Sequence, residues 1–290
     1  MDSDNPFQRS FWPKSIIHPE QYDGAEALCL SWDLGAVPAG EKKKVIATWV
    51  GLLPKLHDVR RLQVWSHVTQ PLFDAICKLS NLEVLQIKWS NVHTLDSIRG
   101  LDQLKALSIG SSTRVESIEP LAALESLEYL EVENFKLVND FSPFVSLRRL
   151  KYLSVTGSMW TRQAIESLEP FSRMTWLTSL NVDTSHVKSV RALETLKNLE
   201  SLGIGGRLPY EEYASLSVKL PNTECRWFQP YLDISQTGYS PCKACRRKSM
   251  VMVTGKGKPV LCKYCDEEKL AKHVRLFEQA QIAARELRAS

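Results

Sequence analysis

Four cysteines near the end of the chain have the spacing of a metal site. They form two Cys-x-x-Cys pairs, Cys242 with Cys245 and Cys262 with Cys265, and sixteen residues separate the pairs. Two intervening residues let both sulfurs of a pair point to the same side, so two pairs can surround one tetrahedral ion. The pattern therefore predicts a four-cysteine zinc site. Because thiolates fill all four positions, we expect the zinc to be structural and not catalytic.

The residues around these cysteines predict the elements that bring the two pairs together. Residues 250–254 are strand-like, residues 255–257 form a turn, and residues 258–261 return to the second pair. Asp266 opens a helical stretch whose acidic residues suit the positive end of a helix dipole. This order of knuckle, hairpin, knuckle and helix resembles a treble-clef or zinc-ribbon finger. A module of about fifty residues builds little apolar core, so zinc would hold it folded.

Basic side chains surround the predicted zinc module. Residues 240–290 contain 12 Lys and Arg against 5 Asp and Glu, whereas the rest of the chain contains 25 against 28. Such a cluster can contact phosphate, but it also offsets the charge of the thiolates. The module is therefore predicted to act as a folding staple, with a protein-docking finger and a nucleic-acid contact as alternatives. The residues that would contact nucleic acid are Lys243, Arg246, Arg247, Lys248, Lys256 and Lys258, together with Lys263.

A second pattern covers the middle of the chain, where a phrase of the form apolar-x-x-apolar-x-apolar occurs seven times. Successive copies start 22, 23 or 27 residues apart, and self-similarity at this period indicates a leucine-rich repeat solenoid with one strand per coil. An eighth copy, Thr223/Arg226/Phe228, is degraded, as expected of a terminal repeat. The seven regular copies are Val59/Leu62/Val64, Leu82/Leu85/Ile87, Leu104/Leu107/Ile109, Leu127/Leu130/Val132, Leu150/Leu153/Val155, Leu177/Leu180/Val182 and Leu199/Leu202/Ile204.

Between the phrases, apolar residues recur at every third position, as in Val115, Ile118, Leu121 and Leu124. A spacing of three favours a 3₁₀-like return leg with one edge in the core. Phrase and leg together resemble the 22-residue class of leucine-rich repeats found in bacterial internalins and in the protein-phosphatase-1 regulatory subunit, over roughly residues 59–228. The resemblance implies an α/β solenoid, shaped like a horseshoe, with a concave parallel sheet and 3₁₀ or helical return legs. It implies no particular partner.

The turn after each strand departs from that family. Where the family places a ladder of asparagines, this chain mostly has serine, whose hydroxyl can satisfy part of what an asparagine amide would. We therefore expect the fold to form with looser turns. The residues at these six positions are Ser90, Ser112, Phe135, Ser158, Ser185 and Arg207.

The patterns divide the chain into an N-terminal cap (1–56), the repeats (57–233) and the zinc module (234–290). In the cap, residues 28–32 predict a strand and residues 42–56 predict an apolar-rich helix that covers the open end of the core. The apolar residues of the first twenty positions, which suggest that this segment docks somewhere on the fold, are Phe7, Phe11, Trp12, Ile16 and Ile17.

The third, fifth and seventh positions of each phrase are predicted to point to the concave side of the sheet, which we call the open face. Its centre is aromatic and acidic, and its first strands are aromatic and basic. Aromatic residues beside charge are typical of binding hot spots, although stacked tyrosines can also serve only to stabilise neighbouring strands. The candidates are Tyr129, Glu131, Glu133, Tyr152, Asn181 and Asp183 at the centre, and Arg61, Trp65, Lys88 and Trp89 on the first strands.

One repeat is 27 residues long, and its extra residues fall around 157–161, just after a strand. Insertions at this point emerge on the rim of a solenoid, where functional residues often collect. The pair Met159-Trp160 is therefore a candidate partner contact, with packing of Trp160 onto its neighbours as the alternative.

Composition limits the remaining possibilities. The chain opens with the polar, acidic stretch Met1–Asp4 and contains no apolar run near the about 20 residues that a bilayer span needs. Three further cysteines, Cys29, Cys77 and Cys225, bring the total to seven, which favours free thiols and a metal over disulfides. We expect a soluble cytoplasmic protein.

The sequence contains none of the nucleophile, zinc-protease or phosphate-loop motifs that indicate an enzyme. An acidic active centre that uses Glu131 or Asp183 is the weakest alternative. The predicted function is non-catalytic binding of another protein through the open face and rim, and analogy alone suggests a bacterial inhibitor or defence-associated protein. The alternative is a nucleic-acid-associated regulator that contacts phosphate through the basic finger.

Overall fold

Each of the seven regular repeat phrases folds into a short parallel strand, because its apolar residues alternate into a common core. The strands follow one another in chain order, which confirms the predicted leucine-rich repeat architecture. The eight strands are β1 (Ala27–Leu30), β2 (Arg61–Val68), β3 (Val84–Ser90), β4 (Ala106–Ile109), β5 (Tyr129–Glu133), β6 (Tyr152–Thr156), β7 (Ser179–Val182) and β8 (Ser201–Gly203).

The structure, a computed structural model, describes residues 5–33, 37–158 and 160–289. Two units are distinguished, unit 1 (Met1–Glu166) and unit 2 (Ser167–Ser290), and each is described by itself. In unit 1 the strand register places equivalent phrase positions side by side. Leu62 pairs with Leu85, Leu85 with Leu107, Leu107 with Leu130, and Leu130 with Leu153. All five side chains are fully buried, so stacking of the coils supplies the core.

The return legs are short helical segments, as the spacing of three predicts. Their apolar edge is buried in every coil of unit 1, for example at Ile98, Leu121 and Phe144. The first leg forms a regular helix, α2 (Gln70–Ile76). The later legs are the 3₁₀ segments Asp96–Gly100, Glu119–Ala123, Ser142–Ser146 and Arg191–Thr195, and the short helix α3 (Glu169–Ser172).

Before the first repeat phrase, unit 1 contains a strand and a helix near the positions predicted for them. Strand β1 pairs in parallel with β2, so the first strand of the sheet precedes the repeat phrases. Helix α1 (Ala39–Leu52) continues into the 3₁₀ turn Leu53–Lys55, where Pro54 cannot extend an α-helical hydrogen-bond ladder. Two further 3₁₀ turns precede β1, at Arg9–Phe11 and Pro19–Gln21.

Polar side chains occupy the turns where the family has asparagine. The hydroxyls of Ser90 and Ser112 hydrogen-bond to each other at 2.7 Å, and both residues are buried. Phe135 is fully buried instead, and Gln163 supplies the polar group. The Gln163 amide accepts a hydrogen bond from the Phe135 N–H at 2.8 Å and donates one to the Val138 carbonyl at 2.8 Å. A glutamine from the following repeat therefore replaces the missing ladder residue.

Unit 2 contains β7 and β8, a short helix, a second sheet and the terminal helix. The degraded eighth phrase forms no strand, and its sheet contact is the isolated bridge between Ser201 and Glu224. The second sheet is antiparallel in the order β11, β10, β9. The elements after β8 are α4 (Tyr210–Lys219), β9 (Tyr231–Asp233), β10 (Met250–Val253), β11 (Val260–Cys262) and α5 (Glu267–Ala289).

The cysteine-bearing hairpin folds back onto the repeats of its own unit, which the sequence left open. The Lys256 N–H donates to the Leu208 carbonyl at 2.7 Å, and the Thr254 N–H donates to the Pro230 carbonyl at 2.9 Å. Helix α5 packs on α4, where the Gln281 amide donates to the Ser217 hydroxyl at 2.8 Å. Among the described residues, no helix has the length and apolar character needed to cross a membrane.

Candidate functional site

The four predicted cysteines come together in unit 2. Their sulfur atoms all lie within 4.8 Å of one another. The Cys242 and Cys265 sulfurs are 3.8 Å apart, and the Cys245 and Cys262 sulfurs are 3.6 Å apart. Metal–sulfur bonds of about 2.3 Å in a tetrahedron place the sulfurs about 3.8 Å apart. The donor set and its dimensions therefore fit a tetrahedral metal ion.

The two knuckles have the same backbone geometry. In each, the residue after the second cysteine donates its N–H to the carbonyl of the first: Arg246 to Cys242 at 2.9 Å, and Asp266 to Cys262 at 3.0 Å. Arg246 takes a positive φ of 61° to close its turn. Asp266 also accepts the Cys262 N–H through its carboxylate at 3.0 Å, which ties the second knuckle to the start of α5.

The electrostatics of the cluster favour a bound cation. Two hydrogen bonds to its sulfur lower the pKa of the Cys262 thiol to about 6. The larger effect comes from the Ser249 hydroxyl and the smaller from the Cys265 N–H. The neighbouring sulfurs of Cys245 and Cys242 raise the pKa of Cys265 to about 12. One thiolate therefore forms readily, and a divalent cation would offset the repulsion that opposes the others.

The predicted basic residues fall into two groups, because the hairpin separates them. Lys243, Arg246, Arg247 and Lys248 are exposed at the first knuckle, near the end where Met250 pairs with Cys262. The Arg247 guanidinium lies 4.3 Å from the centre of the exposed Tyr264 ring on the second knuckle.

Lys256 and Lys258 lie instead at the turn of the hairpin, about four residues or 13 Å further along the strands. There the Lys258 amine lies 5.0 Å from the Tyr210 ring centre. Lys263 pairs with Asp233 at 2.6 Å. The patch that could contact phosphate is therefore concentrated at the first knuckle.

The aromatic centre of the predicted open face lies on β5 and β6 of unit 1. The rings of Tyr129 and Tyr152 stack with their centroids 4.0 Å apart and their planes within 5°. The Tyr129 hydroxyl donates to Glu131 at 3.0 Å, and the Ser108 hydroxyl donates to the other oxygen of that carboxylate at 3.0 Å. Glu133 accepts a hydrogen bond from Ser111 at 3.2 Å. Tyr129, Tyr152 and Glu131 therefore form one polar-aromatic cluster, and Glu133 lies two residues further along β5.

Burial and the nearby carboxylate keep both tyrosines protonated. Burial, and then the charge of Glu131, raises the pKa of Tyr129 well above its ordinary value, and the same two causes raise the pKa of Tyr152. Both hydroxyls are therefore donors at any physiological pH. The arrangement suits recognition through ring contact and hydrogen bonding.

The aromatic and basic residues predicted for the first strands of the open face include Trp65, Lys88 and Trp89. The Lys88 amine lies 5.6 Å from the Trp65 ring centre, and the half-buried Trp89 pairs in register with His67. A bulge in β2 between Val64 and His67 shifts the register there. These residues lie on β2 and β3.

The N-terminal residues dock on the open face of unit 1, and sequence reasoning missed where. We call residues 5–15 the N-terminal strap. Phe7 meets Tyr129 edge-on, with ring centroids 5.3 Å apart and planes at 76°. The Arg61 guanidinium lies 5.4 Å from the Phe11 ring centre and 5.0 Å from that of Trp12. The aromatic residues of this non-repeat segment signalled docking, but not where it would occur.

The strap leaves a cavity of about 760 Å³ between itself and the first strands. Phe7, Trp12 and Lys14 line it on one side, and Gln63 and Gln86 line it on the other. Among the described residues, the Trp12 Nε1 and Arg61 Nε atoms are buried without a hydrogen-bond partner. The strap therefore packs on the face incompletely.

The remaining candidates lie on the inserted loop and in unit 2. The Trp160 side chain is 89 % exposed, so it does not pack onto its neighbours, and Met159 lies outside the described residues. The loop is fastened by a hydrogen bond of 2.7 Å from the Thr161 hydroxyl to Asn134. In unit 2, Asp183 accepts the Ser185 N–H at 2.9 Å, and Asn181 pairs in register with Gly203. The binding role of Asn181 and Asp183 stays a prediction.

Comparison with known proteins gives a likeness of fold only. No protein-family model matches the chain, and no curated protein matches it. Among solved structures, internalin C2 of Listeria monocytogenes is similar over 61 % of this chain and 78 % of its own, with 19 % identity and a TM-score of 0.48. A second internalin of that bacterium is similar over 59 % of this chain and 61 % of its own, with 19 % identity and a TM-score of 0.41.

Proposed function

We propose that this chain is a non-catalytic module that binds another protein through the open face of unit 1 and the adjoining Trp160 loop. The observation that carries the proposal is the stacked pair Tyr129 and Tyr152, half-buried and hydrogen-bonded to Glu131. Large rings held rigidly beside a carboxylate lose little conformational entropy on binding, as hot-spot residues do. Trp160 adds an exposed ring on the rim.

The proposal includes a structural role for the metal. We assign zinc to the four-cysteine cluster, because the four donors are thiolates with tetrahedral spacing. Bound there, zinc would cross-link the two knuckles and so stabilise the hairpin that packs on the last repeats of unit 2. We further propose that the repeats belong to the 22-residue class and the finger to the treble-clef or zinc-ribbon type. Division into a cap, repeats and a zinc module also stays a proposal.

The proposed setting is the cytoplasm, and by analogy with other binding solenoids the role is that of a bacterial inhibitor or defence-associated protein. Free thiols at Cys29 and Cys77, both buried, and the thiolate site itself suit a reducing compartment.

The decisive experiment is an affinity pull-down from the native host, with and without nuclease. We expect one protein to be captured by the wild type and lost with Tyr129→Ala/Tyr152→Ala. Tyr129→Phe/Tyr152→Phe keeps the rings and should retain most of the binding. Tyr239→Ala removes an exposed tyrosine from unit 2 and is the matched control. Capture that is indifferent to both open-face tyrosines would refute the proposal.

A second candidate is a nucleic-acid-associated regulator, which the four exposed cations at the first knuckle favour. Its affinity for nucleic acid should fall steeply as salt rises, because phosphate contacts release counterions. Arg246→Ala/Arg247→Ala should weaken that binding and reduce the slope, whereas Lys256→Ala, at the far end of the hairpin, should change it less. Capture that vanishes on nuclease treatment would favour this candidate.

A further inference from the structure

We infer that the N-terminal strap occupies the binding site of the partner, and that the partner is a protein segment with aromatic and cationic side chains that displaces the strap. The inference rests on the proposed function of the open face. The strap shows which chemistry this face accepts, since Phe7 lies on Tyr129 while Phe11 and Trp12 lie beside Arg61. A partner that presents rings at these positions would make the same contacts.

The strap is built to be released without disturbing the core of unit 1. The backbone N–H groups of Gln8, Phe11 and Trp12 donate to carbonyls within the strap. The chain joins the sheet at Ile16. Its N–H donates to the Cys29 carbonyl at 2.9 Å, and its carbonyl accepts the Ser31 N–H at 3.0 Å. The rings of Phe7, Phe11 and Trp12 contact the face, and the bridge at Ile16 would stay when they leave.

Charge favours a cationic occupant. Residues 5–15 contain Arg9 and Lys14 and no acidic residue. The centre of the face holds Glu131 and Glu133, to which hydroxyl groups donate without neutralising the negative charge. Opposite charge speeds association and selects between partners, so basic residues of the segment fit the acidic centre of the face. Its aromatic rings fit the first strands, where Arg61 already lies beside Phe11 and Trp12.

The incomplete packing of the strap explains why another segment can displace it. A cleft of about 760 Å³, partly open to solvent, lies between the strap and the first strands, so the strap leaves part of the face uncovered. Among the described residues, Trp12 Nε1 and Arg61 Nε lack partners, and burying an unsatisfied donor is costly. A segment that fills the cavity and satisfies these donors would bind more tightly than the strap does.

The test uses a fluorescent peptide with the sequence of residues 5–15 and two forms of the full chain, the wild type and Phe7→Ala/Phe11→Ala/Trp12→Ala. A tethered strap competes at an effective concentration in the millimolar range, so we expect the variant to bind the peptide at least about tenfold more tightly than the wild type. Tyr129→Ala/Tyr152→Ala in the variant should abolish binding, as should alanine at the three aromatic positions of the peptide.

Equal binding to the variant and the wild type, or binding that ignores Tyr129 and Tyr152, would overturn the inference. If the triple variant does not fold, the single change Phe7→Ala replaces it, since that ring contacts Tyr129 at the surface. The pull-down partner separates the two proposals. A partner that needs the tyrosines but binds the triple variant no better than the wild type contradicts only the displaced strap. A partner indifferent to the tyrosines contradicts the proposed function, whatever the peptide does.

Discussion

The Phe7 ring stands edge-on against the Tyr129 ring, 76° from its plane, and so joins the N-terminus to the fifth strand of the sheet. About three strand spacings, or roughly 14 Å, separate β5 from β2, where Arg61 meets Trp12. Phe7 and Trp12 lie on either side of the 3₁₀ turn Arg9–Phe11, and their side chains reach these two different strands. The strap therefore lies across the strands and not along them.

This ring contact should be measurable as a coupling energy. Edge-to-face aromatic pairs contribute about 0.5–1.5 kcal/mol beyond their buried area. We expect a double-mutant cycle of Phe7→Ala and Tyr129→Ala, followed by chemical denaturation, to give a coupling in that range. The cycle of Phe7→Ala with Tyr22→Ala, whose hydroxyl bonds locally to Ala25, should show additive effects. Additivity in the first cycle would mean that Phe7 does not rest on Tyr129 in solution.

Trp160→Ala should reduce partner affinity without changing the free energy of unfolding. An indole that is 89 % exposed contributes little to the core, whereas its burial in a complex can be worth about 2 kcal/mol or roughly thirtyfold in Kd. Isothermal titration with the captured partner measures the change in affinity, and a thermal melt of the free protein measures any change in stability. The neighbouring exposed change Arg162→Ala serves as a control for the loop. A fall in melting temperature would instead assign the indole a structural role.

Removal of the metal should unfold the small sheet and loosen α5. We expect one zinc ion per chain by elemental analysis, and a lower melting temperature after treatment with a chelator. Cys262→Ser, at a buried ligand position, should lose the metal and show the same lowered melting temperature. Cys225→Ser changes a cysteine outside the cluster and should keep the ion. A melting temperature that chelation leaves unchanged would contradict the structural assignment.

Stability should fall as the pH falls below about 6.5, because His273 resists protonation in the folded state. Burial, and then the charge of Lys258, lowers the pKa of this imidazole, which packs edge-on against Tyr210. Below its ordinary pKa the unfolded chain takes up a proton that the folded chain disfavours, so acid shifts the equilibrium toward unfolding. Urea denaturation between pH 7 and pH 5 measures the slope.

In His273→Gln that slope should become shallower, while His57→Gln, at an exposed turn, should leave it as in the wild type. If all three proteins lose stability in parallel, other groups control the pH dependence.

Gly206→Ala should destabilise unit 2 by about 1–3 kcal/mol, as overpacking of a filled site does. A Cβ atom at this position would overlap the Trp227 ring, which is held by a hydrogen bond of 2.8 Å from its Nε1 to the Ile204 carbonyl. Gly51→Ala is the opposite case, since nothing lies within 4 Å of its Cβ and the residue is in α1. That change should stabilise by about 0.5–1 kcal/mol. Equal effects at the two glycines would contradict the packing around Trp227.

Local periodicity was enough to predict most of the fold. Strands bury every second residue and return legs bury every third, so apolar residues recur at fixed spacing in the sequence. Leu130 and Leu121 could therefore be assigned to the core from the sequence. The same holds for Cys242 and Cys265, because two-residue spacing restricts the geometry of thiolates. The strap could not be placed, since the contact of Phe7 with Tyr129 joins residues 122 positions apart without any periodic signal.

Two features of unit 2 escaped prediction for a different reason. Strand β9 is only three residues long, too short for alternation to be recognised, and it forms because β10 offers it an edge. The separation of Lys256 from Arg246 depends on strand register, which composition does not contain. Basic residues that lie close together in the sequence can therefore lie far apart on the protein surface.

The edge strand β9 has a practical consequence for dividing this protein into fragments. Tyr231–Asp233 completes the sheet that carries Cys262, and Asp233 pairs with Lys263 beside the second knuckle. A fragment that starts at residue 234 would thus expose an unpaired strand edge, and one that stops at 233 would leave β9 without a neighbour. The exposed stretch 236–241 is where a protease should cut first, yet the two pieces should remain associated after the cut. Transplanting the four-cysteine hairpin onto another scaffold would require the preceding chain from Pro230 onward.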